Sequence, residues 1–254
     1  MNIMMRMKRK YIWGASVFLI FMIVMLIPLP YYLYQPGDVN PLSPIVSVEG
    51  GHKSEKGNFY LTTVASIKVS HLYYLLYALS PDTEIRKEKS VKGDLTQKEY
   101  NFMLNHMMTK SQQNAIVSGL RGAGEKVPVQ NKGVFITNIL PISQAKGKLS
   151  IGDIITEVDG HKMEKSTDVI AYLSSKKAGE SVRLTYEHEG KIHKDTFQLV
   201  VINKSGQVGL GINPEDEYII KPSRNVNMDT KDIGGPSAGS CFLWKFSIRL
   251  FQEI

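Results

Sequence analysis

A serine preceded by two glycines and a proline is the segment of this sequence whose residue types best suit catalysis. The segment reads DIGGPSAG and places a hydroxyl at Ser237. A serine hydroxyl is a weak nucleophile at neutral pH, so catalysis needs a base for its proton and donors for an oxyanion. Gly234 and Gly235 permit backbone angles that are closed to other residues, and Pro236 fixes φ. The pattern predicts a tight turn that presents a nucleophile.

The residues that follow this serine would leave room for a substrate backbone. Ala238 and Gly239 are small, and a helix beginning near Ser237 would direct free N–H groups toward an oxyanion. A loop that simply leads into a helix would have the same composition, so spacing alone leaves both interpretations open.

The remainder of the sequence offers no evident base for this serine. Lys245 is the one lysine after Ser237, eight residues further on. In a continuous helix that separation is about 12 Å along the axis with a rotation of about 80°, whereas a catalytic hydrogen bond spans about 3 Å. A lysine base must also be buried to stay neutral, and we expect a frayed C-terminus to offer no burial.

Metal and cofactor chemistry has no motif in this sequence. The six histidines lie in separate segments without a triad pattern, and neither an HExxH nor a CxxC motif is present. The single cysteine, Cys241, excludes an intrachain disulfide. We therefore expect no metal site and no cofactor.

The charge and apolar pattern of the N-terminus predicts a single-pass membrane anchor. Arg6 and residues 8–10 supply four charges of the formal net charge of +7, which leaves about +3 and does not favour nucleic acid as a partner. Residues 11–34 carry no charge and are long enough to span a bilayer core. The preceding basic cluster predicts a cytoplasmic N-terminus and an extracellular remainder. A cleaved signal peptide is the alternative, but its apolar core would be unusually long and no small-x-small site follows.

Hydrophobic periodicity along the rest of the chain predicts an α/β (α+β) fold. The predicted elements are a β-hairpin from 45–50 and 58–69, a buried helix at 71–80, a helix at 94–120, strands between 125 and 202 with turns at Asp159-Gly160 and Glu189-Gly190, and a helix at 166–177.

Residues 125–203 resemble a PDZ domain of the bacterial type. The resemblance rests on GVFITNI, DVIAYL and above all LSIGDIITEVDG. In that family an extended peptide adds to a strand that follows a glycine-led loop, whose amides bind a terminal carboxylate. The resemblance implies a peptide-binding strand at Gly133, Val134, Phe135 and Ile136, opposite a helix wall of Val169, Ile170 and Leu173. These side chains would also suit the core of a small α/β domain.

The serine turn resembles the nucleophile motif of Lon-type Ser/Lys peptidases. The segments PLSPIVSVEGG and KGNFYLTTV also fit the opening stretch of such proteins. Residues 1 to about 239 are therefore similar to a family of membrane-anchored Gram-positive proteins that have a PDZ domain and a Lon-like peptidase domain. One member trims a secreted peptide pheromone. The resemblance implies an ATP-independent endopeptidase acting on secreted or membrane peptides, with Ser237 as nucleophile and Gly234, Gly235, Pro236 and Ala238 forming the oxyanion turn.

The same resemblance implies an order of segments along the chain. It assigns a basic cytoplasmic segment to 1–10, the anchor to 11–34, an extracellular α/β part of the peptidase fold to 35–124, the PDZ domain to 125–203 and the start of the peptidase domain to 204–254.

The end of the sequence departs from the family pattern. The family's base is a lysine well downstream of the serine, and only 17 residues follow Ser237 here. We expect a truncated and inactive chain. One permissible back-translation from Cys241 onward, read in a shifted frame, gives a string closer to the family's helix, so we hypothesise a frameshift near codon 240.

Two further interpretations remain open. An anchored PDZ module could capture peptides or partner C-termini without any catalysis. Alternatively, the segments outside the PDZ domain could fold poorly, because strands that lack partners invite aggregation. The substrate, the cleavage site, the oligomeric state and the possible insertion of the PDZ domain within the peptidase fold are left undetermined.

Overall fold

The structure is a computed structural model, which describes residues 2–51, 58–77, 80–230, 233–235, 239, 241–243 and 245. The chain divides into two compact units. The first comprises residues 1–41 and 60–97, and the second comprises residues 42–59 and 98–254.

The described ranges contain both helices and strands. The helices are α1 (Asn2–Leu26), α2 (Leu42–Ile45), α3 (His71–Tyr77), α4 (Glu88–Lys92), α5 (Gln97–Gly122) and α6 (Ser166–Ser174). The strands are β1 (Pro28–Pro41), β2 (Val46–Val48), β3 (Tyr60–Ser70), β4 (Glu84–Lys87), β5 (Val129–Ile139), β6 (Ile154–Val158), β7 (His161–Lys162), β8 (Ser181–His188), β9 (Lys191–Gln198), β10 (Val200–Val201), β11 (Val208–Gly209), β12 (Ile212–Ile220) and β13 (Val226–Met228).

The sheet of the first unit has β1 at its centre, in the antiparallel order β3–β1–β4. Tyr32 and Leu33 of β1 are buried in this unit. The predicted hairpin between 45–50 and 58–69 is wrong, because β3 pairs with β1 and β2 pairs with β13. The 14-residue β1 offers β3 a far longer edge than the three-residue β2 could.

The N-terminal helix ends earlier than the uncharged run suggests. α1 ends at Leu26, and residues 28–34 of the predicted 11–34 segment belong to β1. Pro28 and Pro30 lack an N–H donor, which disfavours continuation of a helix. Within the described residues, no helix combines the length and the apolar character needed to cross a membrane.

The apolar segment after β3 does form a helix, but its described side chains are not buried. Leu72 and Leu76 of α3 are 49% and 66% exposed. The prediction of a buried helix at 71–80 is therefore wrong in its burial. The predicted helix at 94–120 is observed as α5, and its Met103 and Met108 are buried.

The second unit contains a sheet in the order β12–β5–β6–β8–β9, with β7 paired to β6. Its inward side chains and those of α6 form one apolar cluster, and full burial of such a side chain contributes about 1.5–3 kcal/mol. The cluster includes Val134, Ile136, Ile155, Val158, Val169, Leu173, Val182, Leu184, Leu210 and Ile212. The predicted mixed α/β class is confirmed.

Two short strands bracket this sheet in the sequence. Val46–Val48 pairs with Val226–Met228 in an antiparallel ladder. All elements from β3 to β12 therefore lie, in the sequence, between two segments that pair with each other.

Candidate functional site

A groove runs between α6 and β12 in the second unit. It encloses a cavity of about 220 Å³. The lining side chains and backbone come from the helix, from the end of the β10–β11 ribbon and from the first residues of β12: Val169, Ile170, Leu173, Ile202, Gln207, Val208, Gly209, Leu210, Ile212, Asn213 and Pro214. The helix residues Val169, Ile170 and Leu173 singled out from the sequence thus line this cavity.

The strand that borders the groove is β12, and not β5 as the sequence suggested. Among the described strands, β12 pairs with β5 on one side only and is an outer strand of its sheet. An outer strand offers N–H and C=O groups to an added strand. The free edge beside α6 can therefore accept an extended peptide.

The predicted peptide-binding strand, Gly133 to Ile136, lies inside the sheet. β5 pairs with β12 along one edge and with β6 along the other, so no edge remains for a peptide. Val134 and Ile136 are fully buried. A Cβ on Gly133 would lie 2.5 Å from the carbonyl oxygen of Ile155, so this glycine permits close packing of two strands. The assignment of the peptide site to Gly133, Val134, Phe135 and Ile136 is wrong for this reason.

The glycine-led loop of the groove is the segment GLGI, residues 209–212. The carbonyl of Leu210 accepts a hydrogen bond from the Ser143 hydroxyl, and the carbonyl of Gly211 accepts one from the Leu140 N–H at 2.8 Å. In a trans peptide the C=O and the next N–H point in opposite directions. The N–H of Gly211 therefore points away from the 140–143 loop. In the sequence this loop is visible as a glycine-rich stretch just before a strand. We did not identify it as the loop of a peptide-binding groove from the sequence.

The two walls of the groove are tied together by one aspartate. Oδ1 of Asp216 in β12 accepts hydrogen bonds from the Ser166 N–H at 2.7 Å and the Ser166 hydroxyl at 2.6 Å. The hydroxyl donor, followed by the backbone donor, lowers the pKa of Asp216 below its ordinary value. Ser166 is the first residue of α6, so this contact sets the position of the helix start against the strand.

The opposite face of β12 packs against α5 through charged groups. Nζ of Lys110 lies 3.0 Å from Oε2 of Glu217 and 3.9 Å from the ring centroid of Tyr218. The lysine–carboxylate contact is close in distance, but neither atom has a partner in hydrogen-bonding geometry. His106 stacks on Phe135 at 3.8 Å, and burial lowers its pKa. α5 thus contacts both β12 and β5.

A second pair of titratable groups lies elsewhere in the sheet. Nδ1 of His188 is 2.6 Å from Oδ1 of Asp153, whose side chain is 2% exposed. That hydrogen bond is the main cause that raises the pKa of His188. In the described part of the chain, no group of three or more His, Cys, Asp or Glu residues could hold a metal ion.

The described part of the glycine turn rests on α5. The N–H of Gly235 donates to the carbonyl of Leu104 at 2.9 Å, and Gly235 has a φ of +99° that favours glycine. A Cβ on Gly234 would lie 3.0 Å from Cβ of Leu104. Both glycines are therefore required by packing or by backbone angle. The predicted nucleophile and its neighbours, Ser237, Pro236 and Ala238, lie outside the described residues.

Lys245 is buried, contrary to the expectation of a frayed terminus. Lys245 is 1% exposed, and Phe242, three residues before it, is fully buried. Its ammonium donates a hydrogen bond to the hydroxyl of Ser43 at 2.8 Å. Packing around Phe242 and Lys245 thus provides a burial that the sequence gave no reason to expect.

Comparison with known proteins identifies part of this architecture. The family model described as PDZ domain matches residues 110–199. A protein of Haemophilus influenzae named probable periplasmic serine protease do/HhoA-like is 38% identical over 69 residues, which is 27% of this chain and 15% of that relative. The chain thus spans a small fraction of the length of this curated relative.

Solved structures match the same kind of domain. The PDZ domain of the SdrC-like protein from Listeria monocytogenes is 35% identical, with 32% of this chain and 86% of that chain covered and a TM-score of 0.31. Its counterpart from Listeria innocua is 36% identical, with 33% and 93% covered and a TM-score of 0.32. By sequence, then, the chain contains a PDZ domain and is related in part to a periplasmic serine protease.

Proposed function

We propose that this chain captures the C-terminal segment of an extended peptide in the groove between α6 and β12. The observation that carries the proposal is the free edge of β12, which lies beside an apolar cavity and directly follows the GLGI loop. Strand addition at such an edge supplies affinity through backbone hydrogen bonds, and a terminal carboxylate is bound by loop amides.

The lining of the cavity favours an apolar C-terminal side chain on the peptide. Val169, Leu173, Leu210 and Ile212 contribute aliphatic surface to it. A charged side chain placed against this surface would lose its hydration without gaining a partner. We therefore expect peptides that end in valine, leucine or isoleucine to bind in preference to peptides that end in aspartate or lysine.

A peptide-binding assay with a matched pair of variants tests this function. Ile170 lines the cavity and is 45% exposed, so Ile170→Arg should block the groove without loss of fold. Ile192 is 61% exposed on β9 and is not among the residues lining the groove, so Ile192→Arg is the control. Dye-labelled peptides ending in valine should bind the wild type and the control but not Ile170→Arg. Equal binding by all three, or by an amidated peptide, would contradict the proposal.

The second candidate function is proteolysis of the captured peptide by Ser237. Its support is the glycine turn held on α5 by the Gly235–Leu104 hydrogen bond, together with the partial similarity to a serine protease. In the Lon-like mechanism the serine hydroxyl would attack the peptide carbonyl, a lysine would take its proton, and backbone amides would stabilise the oxyanion. The products would be a new amine and, after water attacks the acyl-enzyme, a new carboxylate.

Helix geometry leads us to expect that this chain does not turn substrate over. Lys245 is buried, as a base must be, but a separation of about 12 Å along a continuous helix is too long for a dyad with Ser237. A fluorophosphonate probe should therefore label the wild type no faster than Ser237→Ala. Labelling that depends on both Ser237 and Lys245, tested with Lys245→Met, would overturn this expectation and establish the dyad. Sequencing of the gene through codon 240 tests the frameshift separately.

We also propose that α1 anchors the chain in the cell membrane, with the bulk outside. The support is that large apolar side chains lie on all sides of residues 12–26 of α1, with Trp13 72%, Phe18 66% and Leu26 67% exposed. A helix that is apolar all round requires an apolar environment. Membrane fractions should retain the chain after a high-salt wash, and external protease should degrade the residues after β1. Release of a shorter mature chain into the medium would instead favour a cleaved signal peptide.

A further inference from the structure

Large apolar side chains are exposed on α3 of the first unit. Leu72, Tyr74, Leu76 and Tyr77 are 49%, 40%, 66% and 36% exposed. All four belong to one short helix of seven residues, HLYYLLY, which carries no acidic or lysine side chain. Soluble surfaces rarely concentrate large apolar side chains in this way without a partner.

α3 begins beside the point where α1 ends. Nδ1 of His71 lies 3.2 Å from the carbonyl oxygen of Ile27, the residue that joins α1 to β1. Ser70, just before α3, pairs with Pro28 at the start of β1. The helices α1 and α3 are also in direct contact. The apolar surface of α3 is therefore continuous with that of α1.

Cationic side chains lie on β4, which pairs with β1, and on α4, which follows it. Lys87 of β4 is opposite Tyr31 in the β1–β4 ladder. Lys87 and Lys89 are exposed, and neither has an ion-pair partner among the residues described. By contrast, Arg86 pairs with Glu84 at 2.8 Å. Lysines near a bilayer surface are attracted by anionic lipid headgroups, by about 1 kcal/mol each.

We propose that α3 lies in the headgroup region of an anionic bilayer, as a second lipid contact beside the membrane end of α1. Leu72 and Leu76 enter the acyl boundary, and Tyr74 lies at headgroup level, as amphipathic aromatic rings do at membrane interfaces. Lys87 and Lys89 contact anionic headgroups. This inference rests on the proposed anchor. It adds that the first unit lies against the membrane surface and is not separated from it by a flexible linker.

Site-directed fluorescence on the full-length chain tests this contact. Cys241 is the one cysteine in the sequence, so Cys241→Ser provides a background for single labels. A polarity-sensitive dye is placed by Leu76→Cys on α3, by Phe18→Cys on α1, and by Ile192→Cys on β9, where the exposed fraction of 61% matches the 66% of Leu76. Each protein is reconstituted in phosphatidylcholine vesicles with and without phosphatidylserine, and with spin-labelled lipids as quenchers.

The expected result is blue-shifted emission and lipid quenching at positions 18 and 76, with neither at position 192. Phosphatidylserine should increase the quenching at position 76, and Lys87→Gln with Lys89→Gln should remove that increase. Quenching at position 18 but not at 76 would overturn the α3 contact and leave the anchor intact. A blue shift at 76 without lipid quenching would show that protein covers α3, which also overturns the contact. No quenching at 18 would refute the anchor itself.

Discussion

The contact between Asp216 and Ser166 offers the sharpest test of how the groove is held open. Asp216→Ala removes the acceptor of two hydrogen bonds, at 2.6 and 2.7 Å, that join β12 to the first residue of α6. Asp216→Asn keeps one acceptor oxygen but loses the charge. Glu215→Ala is the matched control, because Glu215 lies on the same strand, is half exposed and forms no contact with α6 among those the structure describes.

The magnitude follows from the chemistry of the contact. A hydrogen bond to a charged group contributes about 1.5–3 kcal/mol, and partial exposure of Asp216 reduces this through solvent screening. We expect Asp216→Ala to lower the free energy of unfolding by about 2 kcal/mol, Asp216→Asn by roughly half of that, and Glu215→Ala by less than about 0.5 kcal/mol. Displacement of the helix start should also weaken peptide binding by up to about tenfold.

Urea unfolding followed by circular dichroism measures the stability, and fluorescence polarisation with a labelled peptide measures the affinity. With a slope of about 2 kcal/mol per molar urea, the midpoint of Asp216→Ala should fall by about 1 M. Identical midpoints for Asp216→Ala and Glu215→Ala would refute the reasoning. A stability loss without any change in affinity would refute the link between this contact and the groove.

The pH dependence of the same contact has a defined sign. The pKa of Asp216 is lowered from 3.8 in the folded state, mainly by the Ser166 hydroxyl. A depressed folded pKa means that the contribution to stability is present above pH 3.8 and is lost as the pH falls through the folded pKa. The stability difference between wild type and Asp216→Ala should therefore shrink below about pH 4. A difference that persists unchanged at pH 2 would contradict this assignment.

Three further predictions concern the backbone and the charged pairs of the second unit. Gly211→Ala should cost more stability than Gly206→Ala in urea unfolding, because both have positive φ but only the Gly211 Cβ would meet another side chain, at 2.9 Å. Lys110→Met should lower the free energy of unfolding by about 3 kcal/mol, because it leaves the Glu217 carboxylate buried without its cation. The double variant with Glu217→Gln should recover most of that stability. An equal loss of stability in the single and double variants would contradict this. The pKa of His188 is raised above 6.5, so its contact with Asp153 should stabilise the fold below pH 6.5. This stabilisation should be lost as the pH rises through the pKa of His188 in the folded state. An NMR titration midpoint of His188 below pH 6.5 would contradict the contact.

Local sequence was sufficient where a few neighbouring residues decide the conformation. The turns expected at Asp159-Gly160 and Glu189-Gly190 are observed, with positive φ at all four residues. Such turns depend on the residues within them, since aspartate and glycine tolerate positive φ better than most. The helix start at Ser166 was also predicted, because a run of serine, threonine and aspartate is typical of a helix N-terminus. In the structure, the Asp168 side chain accepts a hydrogen bond from the Lys165 N–H.

Strand pairing was the part that local sequence left undetermined. β12 contains Pro214 and three acidic residues, which are typical of an edge strand, but they do not indicate which strand β12 pairs with. The answer depends on a partner about 80 residues away, since Ile212 pairs with Ile139 and Ile220 with Val129. For the same reason the partner of β2 was assigned to a neighbouring segment, when it lies in β13.

The sequence by itself determined that the chain contains a PDZ-like α/β domain and that a glycine turn leads to a serine near its end. Both follow from patterns confined to a few consecutive residues. Only the tertiary structure decided that the free edge beside α6 belongs to β12, that described side chains of α3 are exposed, and that Lys245 is buried and hydrogen-bonded to Ser43. Each of these is a property of surfaces brought together from distant positions, because burial and edge exposure depend on what packs alongside and not on the segment itself.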